Sequence, residues 1–260
     1  MPELVLTEDR GPVRHVVLNR PEKRNAFDGA LVLATGAALR AAADDPAVRC
    51  VVVRGAGRVF SAGMDVAALG DTAAAPEGLR SFRRACLESW NAAEEMPKPV
   101  VCQIHGVCLG GAMELALACD LRVMAADAAV GLVETRVGLV PDVGGSSRLP
   151  QVIGLGRAKE LVMTSRLVTG EEAERIGLAN RVAPAEELEA ATQRLVDELL
   201  ACAPVAVGLA KRLVDASARP ALSTTLELEV AAQEVCARTE DFAEGVRAAA
   251  ERRAPRFRGR

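Results

Sequence analysis

Two glutamates, Glu114 and Glu134, carry the strongest indication of chemistry in this sequence. They stand twenty positions apart, and each lies beside a glycine-bearing stretch in an otherwise apolar part of the chain, at Gly106–Leu115 and Glu134–Gly145. Burying an acid among apolar residues costs free energy, so acids in such places are more typical of catalysis than of packing. Two carboxyl groups, one giving and one taking a proton, form a common acid/base pair. The spacing therefore predicts an acid/base site.

Two glycine-rich segments could supply hydrogen-bond donors to the same site. Phe60–Asp65 follows an apolar segment at residue 50, and Val107–Glu114 follows another at residue 100. Two such strand-to-turn-to-helix segments can each direct one N–H group at the same oxygen, as a developing oxyanion requires. The glycines could instead simply form tight turns, and the residues alone leave both interpretations open. Leu109-Gly110-Gly111 matches neither a dinucleotide-binding nor a phosphate-loop motif.

Other polar residues have simpler interpretations. His15 and His105 lie in or directly after apolar segments, where a single histidine is more often packed than catalytic. Asp65 follows a glycine turn, and we favour the interpretation that it caps the next helix over a direct part in the chemistry. Asp142 follows a proline, which favours a turn, with a third catalytic acid as the alternative.

Composition and charge exclude several classes of function. The chain has 260 residues, of which 50% are hydrophobic and 26% charged, with a formal net charge of −3. This balance provides no basic field for nucleic acid, although Arg247–Arg260 is locally basic. The seven cysteines lack metal-binding spacing and indicate a reduced, cytoplasmic protein without a metal. The sequence predicts no signal peptide and no membrane-spanning segment, because it lacks both a basic-then-apolar start and any 18-residue apolar run.

Alternating strand and helix patterns predict an α/β core with largely parallel strands over the first 150 residues. The predicted order is a β-hairpin at 4–6 and 13–18, a helix at 28–43, a strand at 50–53, a helix at 79–95, a strand at 100–104, a helix at 111–118 and strands at 121–125 and 129–132. No low-complexity linker or independent second domain is indicated.

From about Gly154 the pattern predicts helices alone. Thr169-Gly170-Glu171-Glu172 matches a capping box. Further helices are expected from Pro184 to about Cys202 and at roughly 205–217, 221–237 and 240–252. Their apolar faces exceed what a small appendage can bury against itself, so we expect them to fold back or to bridge subunits.

Taken together, several blocks of the sequence resemble the signatures of the enoyl-CoA hydratase/isomerase (crotonase) superfamily. Their order and spacing run nearly the whole length of the chain. The blocks are Leu18–Ala26, Phe60–Asp65, Gly106–Asp120, Glu134–Leu149, Leu167–Ala173 and Arg252–Phe257.

The resemblance implies a crotonase-type spiral of ββα units. It places the spiral, with the CoA and active sites, at residues 1–197, and a helical trimerisation region at residues 198–260. It further implies a homotrimer or a dimer of trimers that acts on an acyl-CoA thioester. Coenzyme A is then part of the substrate and no separate cofactor is expected. The basic C-terminus fits a helix end near the CoA phosphates better than a nucleic-acid site.

The resemblance also assigns roles to individual residues. Glu114 and Glu134 are the catalytic acids, and the N–H groups of Met64 and Gly111 form an oxyanion hole. Residues expected to bind the acyl group are Ala62, Gly63, Asp65, Gly110 and Asp142. Residues expected to bind CoA are Arg24, Ala26 and Phe257.

The pair of acids discriminates between reactions of the superfamily. Hydratases of the superfamily resemble this chain in carrying glutamate at both positions, whereas double-bond isomerases often lack the first. Asp142, eight residues beyond Glu134, resembles an acid of dienoyl-CoA or ring-epoxide isomerases and keeps isomerisation open as the alternative. A CoA-binding protein without catalysis is disfavoured, because both acids and both oxyanion-hole positions are present. The sequence therefore predicts an enoyl-CoA hydratase of fatty-acid metabolism.

Overall fold

The computed structural model describes residues 3–65, 67–68, 78–217, 239–241, 244, 251, 253 and 256–260. The strands are β1 (Val5–Arg10), β2 (Val13–Leu18), β3 (Cys50–Gly55), β4 (Val100–Ile104), β5 (Val107–Leu109), β6 (Leu121–Ala125), β7 (Ala129–Gly131), β8 (Val168–Thr169) and β9 (Arg181–Ala183). The helices are α1 (Gly29–Asp44), α2 (Gly78–Glu95), α3 (Gly111–Ala118), α4 (Gly145–Ile153), α5 (Leu155–Thr164), α6 (Gly170–Arg175), α7 (Leu188–Leu200) and α8 (Pro204–Ser217). Within these ranges, no helix has the length and apolar character needed to cross a membrane.

Two sheets form the core. The larger has the order β1-β2-β3-β4-β6-β9, in which β1 is antiparallel to β2 and all other neighbours are parallel. The smaller has the order β5-β7-β8. Single bridges continue it from Cys108 to Ser61 and pair Met64 with Phe27. Each turn of the chain thus adds a segment to both layers, which confirms the predicted spiral of ββα units.

The sequence accounts for the central elements. Val51, Val52 and Val53 of β3 are fully buried, as expected of a parallel strand covered on both faces. Helix α1 begins where the Asp28 carboxylate accepts a hydrogen bond from the Leu31 N–H at 2.9 Å. This N-cap satisfies a donor that the first helical turn leaves free. The predicted elements up to residue 132 are confirmed to within a few residues.

The expectation of helices alone after Gly154 was wrong. The two-residue strand β8 joins the smaller sheet, and β9 closes the edge of the larger sheet beside β6. Strands of two and three residues are too short to show a period, so the helical pattern around them dominates. Helix α4 was also missed, because Pro150 within it indicates a break.

The capping box at the start of α6 forms only in part. The Thr169 hydroxyl accepts a hydrogen bond from the Glu172 N–H at 3.1 Å, so the predicted N-cap is confirmed. The Glu172 carboxylate instead accepts two hydrogen bonds from Arg166. The charge of that arginine outcompetes the backbone N–H of Thr169 for this acid.

The C-terminal helices α7 and α8 confirm two of the predicted helices, while 221–237 and most of 240–252 lie outside the described residues. The predicted boundary between residues 197 and 198 falls inside α7, which packs on β4, β6 and β9 and so belongs to the core. Lys211 ties α8 to the core: its Nζ lies 2.9 Å from the Asp120 carboxylate and donates to the carbonyls of Ala93 and Lys98.

His15 is a buried polar residue in the larger sheet. It lies in β2 opposite Glu8 of β1 and is 4% exposed, and neither ring nitrogen has a hydrogen-bond partner among the residues that the structure describes. Burial lowers the pKa of His15 to about 4, and the charges of Arg10 and Arg54 act in the same direction. The carboxylates of Glu8 and Glu189 oppose this lowering. The folded state therefore excludes a proton that the unfolded chain binds.

We predict that His15 makes the protein sensitive to mild acid. An unfolded histidine has a pKa of about 6.5, so between that pH and about 4 only the unfolded state is protonated. The stabilising contribution of the neutral ring is complete above pH 6.5 and is lost as the pH falls, at up to about 1.4 kcal/mol per pH unit. Urea unfolding of wild type and His15→Leu from pH 8 to pH 4 measures this. Parallel pH dependences for the two proteins would contradict the interpretation.

Candidate active site

One cavity of about 220 Å³ collects most of the predicted site residues. These residues are Ala62, Gly63, Met64, Gly110, Gly111, Glu114, Glu134 and Asp142. The remaining lining is Phe82, Arg83, Val133, Val137, Leu139, Val140 and Val143. The structure thus brings both acids and both glycine-rich turns to one mostly apolar cavity. In the described part of the chain, no three His, Cys, Asp or Glu side chains are grouped as a metal ion requires.

The two glycine-rich turns touch where they meet the cavity. Gly63 has φ = +94°, and a Cβ added there would lie 2.5 Å from the carbonyl oxygen of Leu109. Gly110 has φ = +53°, and its Cβ would lie 3.1 Å from a carboxylate oxygen of Glu134. Positive φ and contacts this close both require glycine. The glycines therefore permit the convergence of the turns and do more than reverse the chain.

Backbone hydrogen bonds fix the two N–H groups that the sequence assigns to an oxyanion hole. Phe27 donates to the Gly63 carbonyl and accepts from the Asp65 N–H, both at 2.8 Å, so the backbone on each side of Met64 is held. Gly111 is the first residue of α3, whose early N–H groups have no partner within the helix. Among the described residues, no hydrogen bond uses the N–H of Met64 or Gly111.

Asn25 supports the first of the two glycine-rich turns, Phe60–Asp65, through buried hydrogen bonds. This fully buried residue donates through Nδ2 to three carbonyls in the loop 56–60. The Ser61 hydroxyl donates to the Asn25 carbonyl at 2.7 Å and accepts from the Gly63 N–H at 3.2 Å. The turn is therefore held by a chain of satisfied buried groups, which keeps its geometry unique.

Glu114 lies in the first turn of α3 and is 2% exposed. Its Oε1 accepts hydrogen bonds from the N–H groups of Val143 at 3.0 Å and Gly145 at 2.8 Å. Burial raises the pKa of Glu114 to about 8, the two N–H groups oppose this, and the charge of Glu134 adds to it. The carboxyl group is therefore close to its titration point near neutral pH, so it can gain or lose a proton readily.

Arg148 holds the loop that binds Glu114. Its guanidinium donates from Nε to the Glu94 carboxylate at 2.9 Å and from Nη2 to Asn91 at 2.8 Å, both on α2. Nη1 donates to the Val143 carbonyl at 3.3 Å. The loop that supplies both donors to Glu114 is thereby linked to α2 through the largely buried ion pair of Arg148 and Glu94, whose side chains are 12% and 18% exposed.

Glu134 is the first residue of a short 3-10 helix, Glu134–Val137, and also lines the cavity. Neither carboxylate oxygen has a hydrogen-bond partner among the described residues, although both are buried. Burial raises the pKa of Glu134, with the Asp142 charge adding to the effect and nearby backbone N–H groups opposing it. The next residue anchors the turn, because the Thr135 hydroxyl donates to the Val162 carbonyl at 2.9 Å and contacts Ser165. An unpaired buried acid on an anchored turn is suited to exchanging protons with a ligand.

Asp65 is not brought to the cavity. Its carboxylate lies 2.9 Å from Nη1 of Arg20 and accepts hydrogen bonds from the N–H groups of residues 67 and 68. The Arg20 guanidinium holds the pKa of Asp65 below its usual range. These contacts support the capping role expected from the sequence and give no support to an acyl-binding role.

The residues expected to bind CoA lie in two separate places. The Arg24 carbonyl accepts a hydrogen bond from the Ala62 N–H at 2.9 Å, so the loop of Arg24 and Ala26 adjoins the first turn. Phe257 lies in the C-terminal segment, whose backbone N–H groups donate to Asp241 and Glu244. Phe257 is not among the described residues that line the cavity.

Several residues of the site were missed in the sequence. Phe82 and Arg83 reach the cavity from α2, and no spacing in the sequence indicates this because their position depends on how α2 packs. The donors to Glu114 come from backbone N–H groups, which every residue type except proline provides. The Gly144-Gly145 pair is the one local signal, since a Cβ on Gly145 would lie 2.9 Å from Glu114 Oε1.

Comparison with known proteins agrees with this geometry. The family model described as "Enoyl-CoA hydratase/isomerase" matches residues 8–260. The chain belongs to this family.

Individual relatives match this chain over most of its length and most of their own. Crotonyl-CoA hydratase of Syntrophomonas wolfei is 33% identical over 256 residues, covering 98% of each protein. The mitochondrial methylglutaconyl-CoA hydratase of Mus musculus is 36% identical, covering 98% of this chain and 85% of its own length. The crystal structure of an enoyl-CoA hydratase from Bacillus anthracis superposes with a TM-score of 0.93 at 34% identity, covering 99% of this chain and 100% of the other.

We predict that Gly63→Ala destabilises the protein. A positive φ and a Cβ 2.5 Å from a carbonyl oxygen both oppose the substitution, and such strain costs roughly 1–3 kcal/mol. Gly156→Ala is the matched control, because that glycine is helical and has nothing within 4 Å of the added Cβ. Urea unfolding should show a loss for the first variant and no loss for the second. A fully stable Gly63→Ala protein would show that the turns do not meet as described.

Proposed function

We propose that the protein is an enoyl-CoA hydratase. It adds water across the 2,3 double bond of a 2-enoyl-CoA thioester to give a 3-hydroxyacyl-CoA. The observation that carries the proposal is the placement of Glu114 and Glu134 in one cavity with the convergent turns at Gly63 and Gly110. The names of the relatives above agree on hydration and differ in the acyl group.

The two acids account for both protons that hydration moves. The water oxygen bonds to C3 while one water proton leaves, and C2 gains a proton as the double bond is consumed. We assign Glu134 as the principal acid/base, because its buried oxygens have no described partner. Glu114 orients and activates the water, since its Oε1 is fixed by two N–H groups. Both pKa values are raised by burial, toward the range in which acid/base catalysis is efficient.

The N–H groups of Met64 and Gly111 are proposed to receive the negative charge. Attack at C3 moves electron density to the thioester oxygen, which becomes an enolate oxygen before C2 is protonated. Two fixed donors stabilise that charge more than the neutral carbonyl and so lower the barrier. Ala62, Gly63 and Gly110 then contact the acyl thioester. Arg24 and Ala26, beside the first turn, and Phe257, from this or a neighbouring subunit, are proposed to contact CoA.

Double-bond isomerisation is the second candidate, and Asp142 is the observation that favours it. Asp142 lines the cavity and its charge raises the pKa of Glu134. Its side chain is 54% exposed and lies 3.4 Å from Arg83, which places it at the rim. Hydration remains the better proposal, because Glu114 and Glu134 already supply both proton transfers.

Glu134→Gln is predicted to lower kcat for crotonyl-CoA hydration by at least about a hundredfold, the usual effect of losing an acid/base group. KM should change little, because the amide keeps the shape of the site. Loss of the conjugated double bond's absorbance measures the reaction, and a 3-enoyl-CoA assayed alongside measures isomerisation. Glu171→Gln, at an exposed position of α6, is the control.

Near-normal hydration by Glu134→Gln would contradict the assignment. Isomerisation that exceeds hydration in the wild type would make isomerase the better description.

Assembly is proposed from the C-terminal helices and the family fold. Val214 of α8 is 69% exposed, which leaves an apolar side chain in contact with water in the single chain. We predict a homotrimer or a dimer of trimers by multi-angle light scattering at micromolar concentration. A monomer under these conditions would refute the proposal. Cytoplasmic localisation, a role in fatty-acid metabolism and activity without a separate cofactor stay predictions.

A further inference from the structure

Arg83 is a charged residue of the cavity that the proposed reaction does not use. It lies on α2 and, among the described lining residues, is the one basic side chain. The lining also includes Phe82, Val137 and Val140, and is mostly apolar. The Arg83 side chain is half exposed, and a cation at the rim of an apolar cavity favours a ligand that is apolar along its length and negative at its tip.

The guanidinium of Arg83 is oriented by Asp142 and still has hydrogen-bond donors available for a ligand. Its Nε donates to the backbone carbonyl of Asp142 at 2.8 Å and lies 3.4 Å from the carboxylate of the same residue. No hydrogen bond to a described residue uses Nη1 or Nη2. The Asp142 carboxylate is 54% exposed, so water can solvate it when another anion approaches. An arginine anchored through Nε presents its two outer nitrogens in the plane that suits a carboxylate.

The local charge permits an anionic acyl group despite three acids in the lining. Burial raises the pKa of Glu114 to about 8, which favours the neutral form of this acid more than at an exposed glutamate. Burial also raises the pKa of Glu134. The charge of Asp142 is offset by Arg83 itself. An incoming carboxylate at the rim therefore meets the two outer nitrogens of Arg83, while water solvates the exposed Asp142 carboxylate.

From this geometry we propose that the preferred acyl group ends in a second carboxylate, which pairs with Arg83. The substrate class is then the 2-enoyl-CoA thioesters of dicarboxylic acids. The inference rests on the proposed hydration and adds the identity of the acyl group. The carboxylate takes no part in the chemistry, so Arg83 acts as a specificity-determining residue.

The test compares two substrates that differ only at the tip. Glutaconyl-CoA and 2-pentenoyl-CoA have the same five-carbon acyl chain and the same double bond. The acyl chain of glutaconyl-CoA ends in a carboxylate, and that of 2-pentenoyl-CoA ends in a methyl group. Wild type should show the higher kcat/KM with glutaconyl-CoA. Arg83→Met should lower that value by roughly tenfold to a hundredfold, as expected for a charged hydrogen-bonded pair, and leave 2-pentenoyl-CoA within about threefold.

Two further variants sharpen the result. Arg84→Met removes the neighbouring exposed arginine, which does not line the cavity. This variant should leave kcat/KM unchanged with both substrates. Arg83→Lys keeps the charge without the planar pair of donors, so its loss with glutaconyl-CoA should be intermediate. Thermal unfolding of each variant confirms that it is folded.

Other outcomes would overturn the inference. Equal losses with both substrates would show that Arg83 contacts CoA or only links α2 to the rim, and no loss would show that it contacts no substrate. Calorimetric binding of glutaryl-CoA and pentanoyl-CoA, which cannot be hydrated, separates this inference from the proposed reaction. A preference for glutaryl-CoA that disappears in Arg83→Met supports the site even if neither enoyl-CoA is hydrated. Equal affinities in the wild type refute it.

Discussion

The burial of the Glu114 carboxyl group is the constraint on which the site depends. An acid that is 2% exposed is tolerated only if the surrounding chain supplies donors, and here two backbone N–H groups do so. Those peptides belong to a loop that α2 holds through Arg148, so the packing of α2 sets the position of the donors. The same burial raises the pKa of the acid. Fold stability and proton chemistry thus meet in one carboxyl group.

The spiral explains how the other parts reach this acid. Successive turns of the chain place the segments of Met64, Gly111 and Glu134 side by side, because each follows a strand in the same layered order. Residues far apart in sequence become neighbours without long loops. Helix α2 then covers one wall and brings Arg83 to the rim. In the proposed reaction, the turns provide the chemistry and the covering helix provides the selectivity for the acyl tip.

Much of this arrangement was predictable from local signals. Glycines beside acids indicated the turns, and buried runs such as Val51–Val53 indicated parallel strands. What failed depends on tertiary contacts: β9 has three residues and exists as a strand because β6 offers it an edge. Helix α4 contains Pro150, which local propensity interprets as a break. Arg83 shows no pattern at all in sequence, since only the packing of α2 decides whether it faces the cavity or water.

The proposed oxyanion donors have a consequence for how such a protein can diverge. The N–H groups of Met64 and Gly111 belong to the main chain, so exchanging a side chain does not delete them; only proline removes such a donor. The carboxyl groups and Arg83, by contrast, can each be lost or replaced by a single codon change. Enolate stabilisation is thus genetically robust, whereas proton delivery and acyl preference are readily altered. A lineage built on this scaffold can change its product while retaining the reactive intermediate.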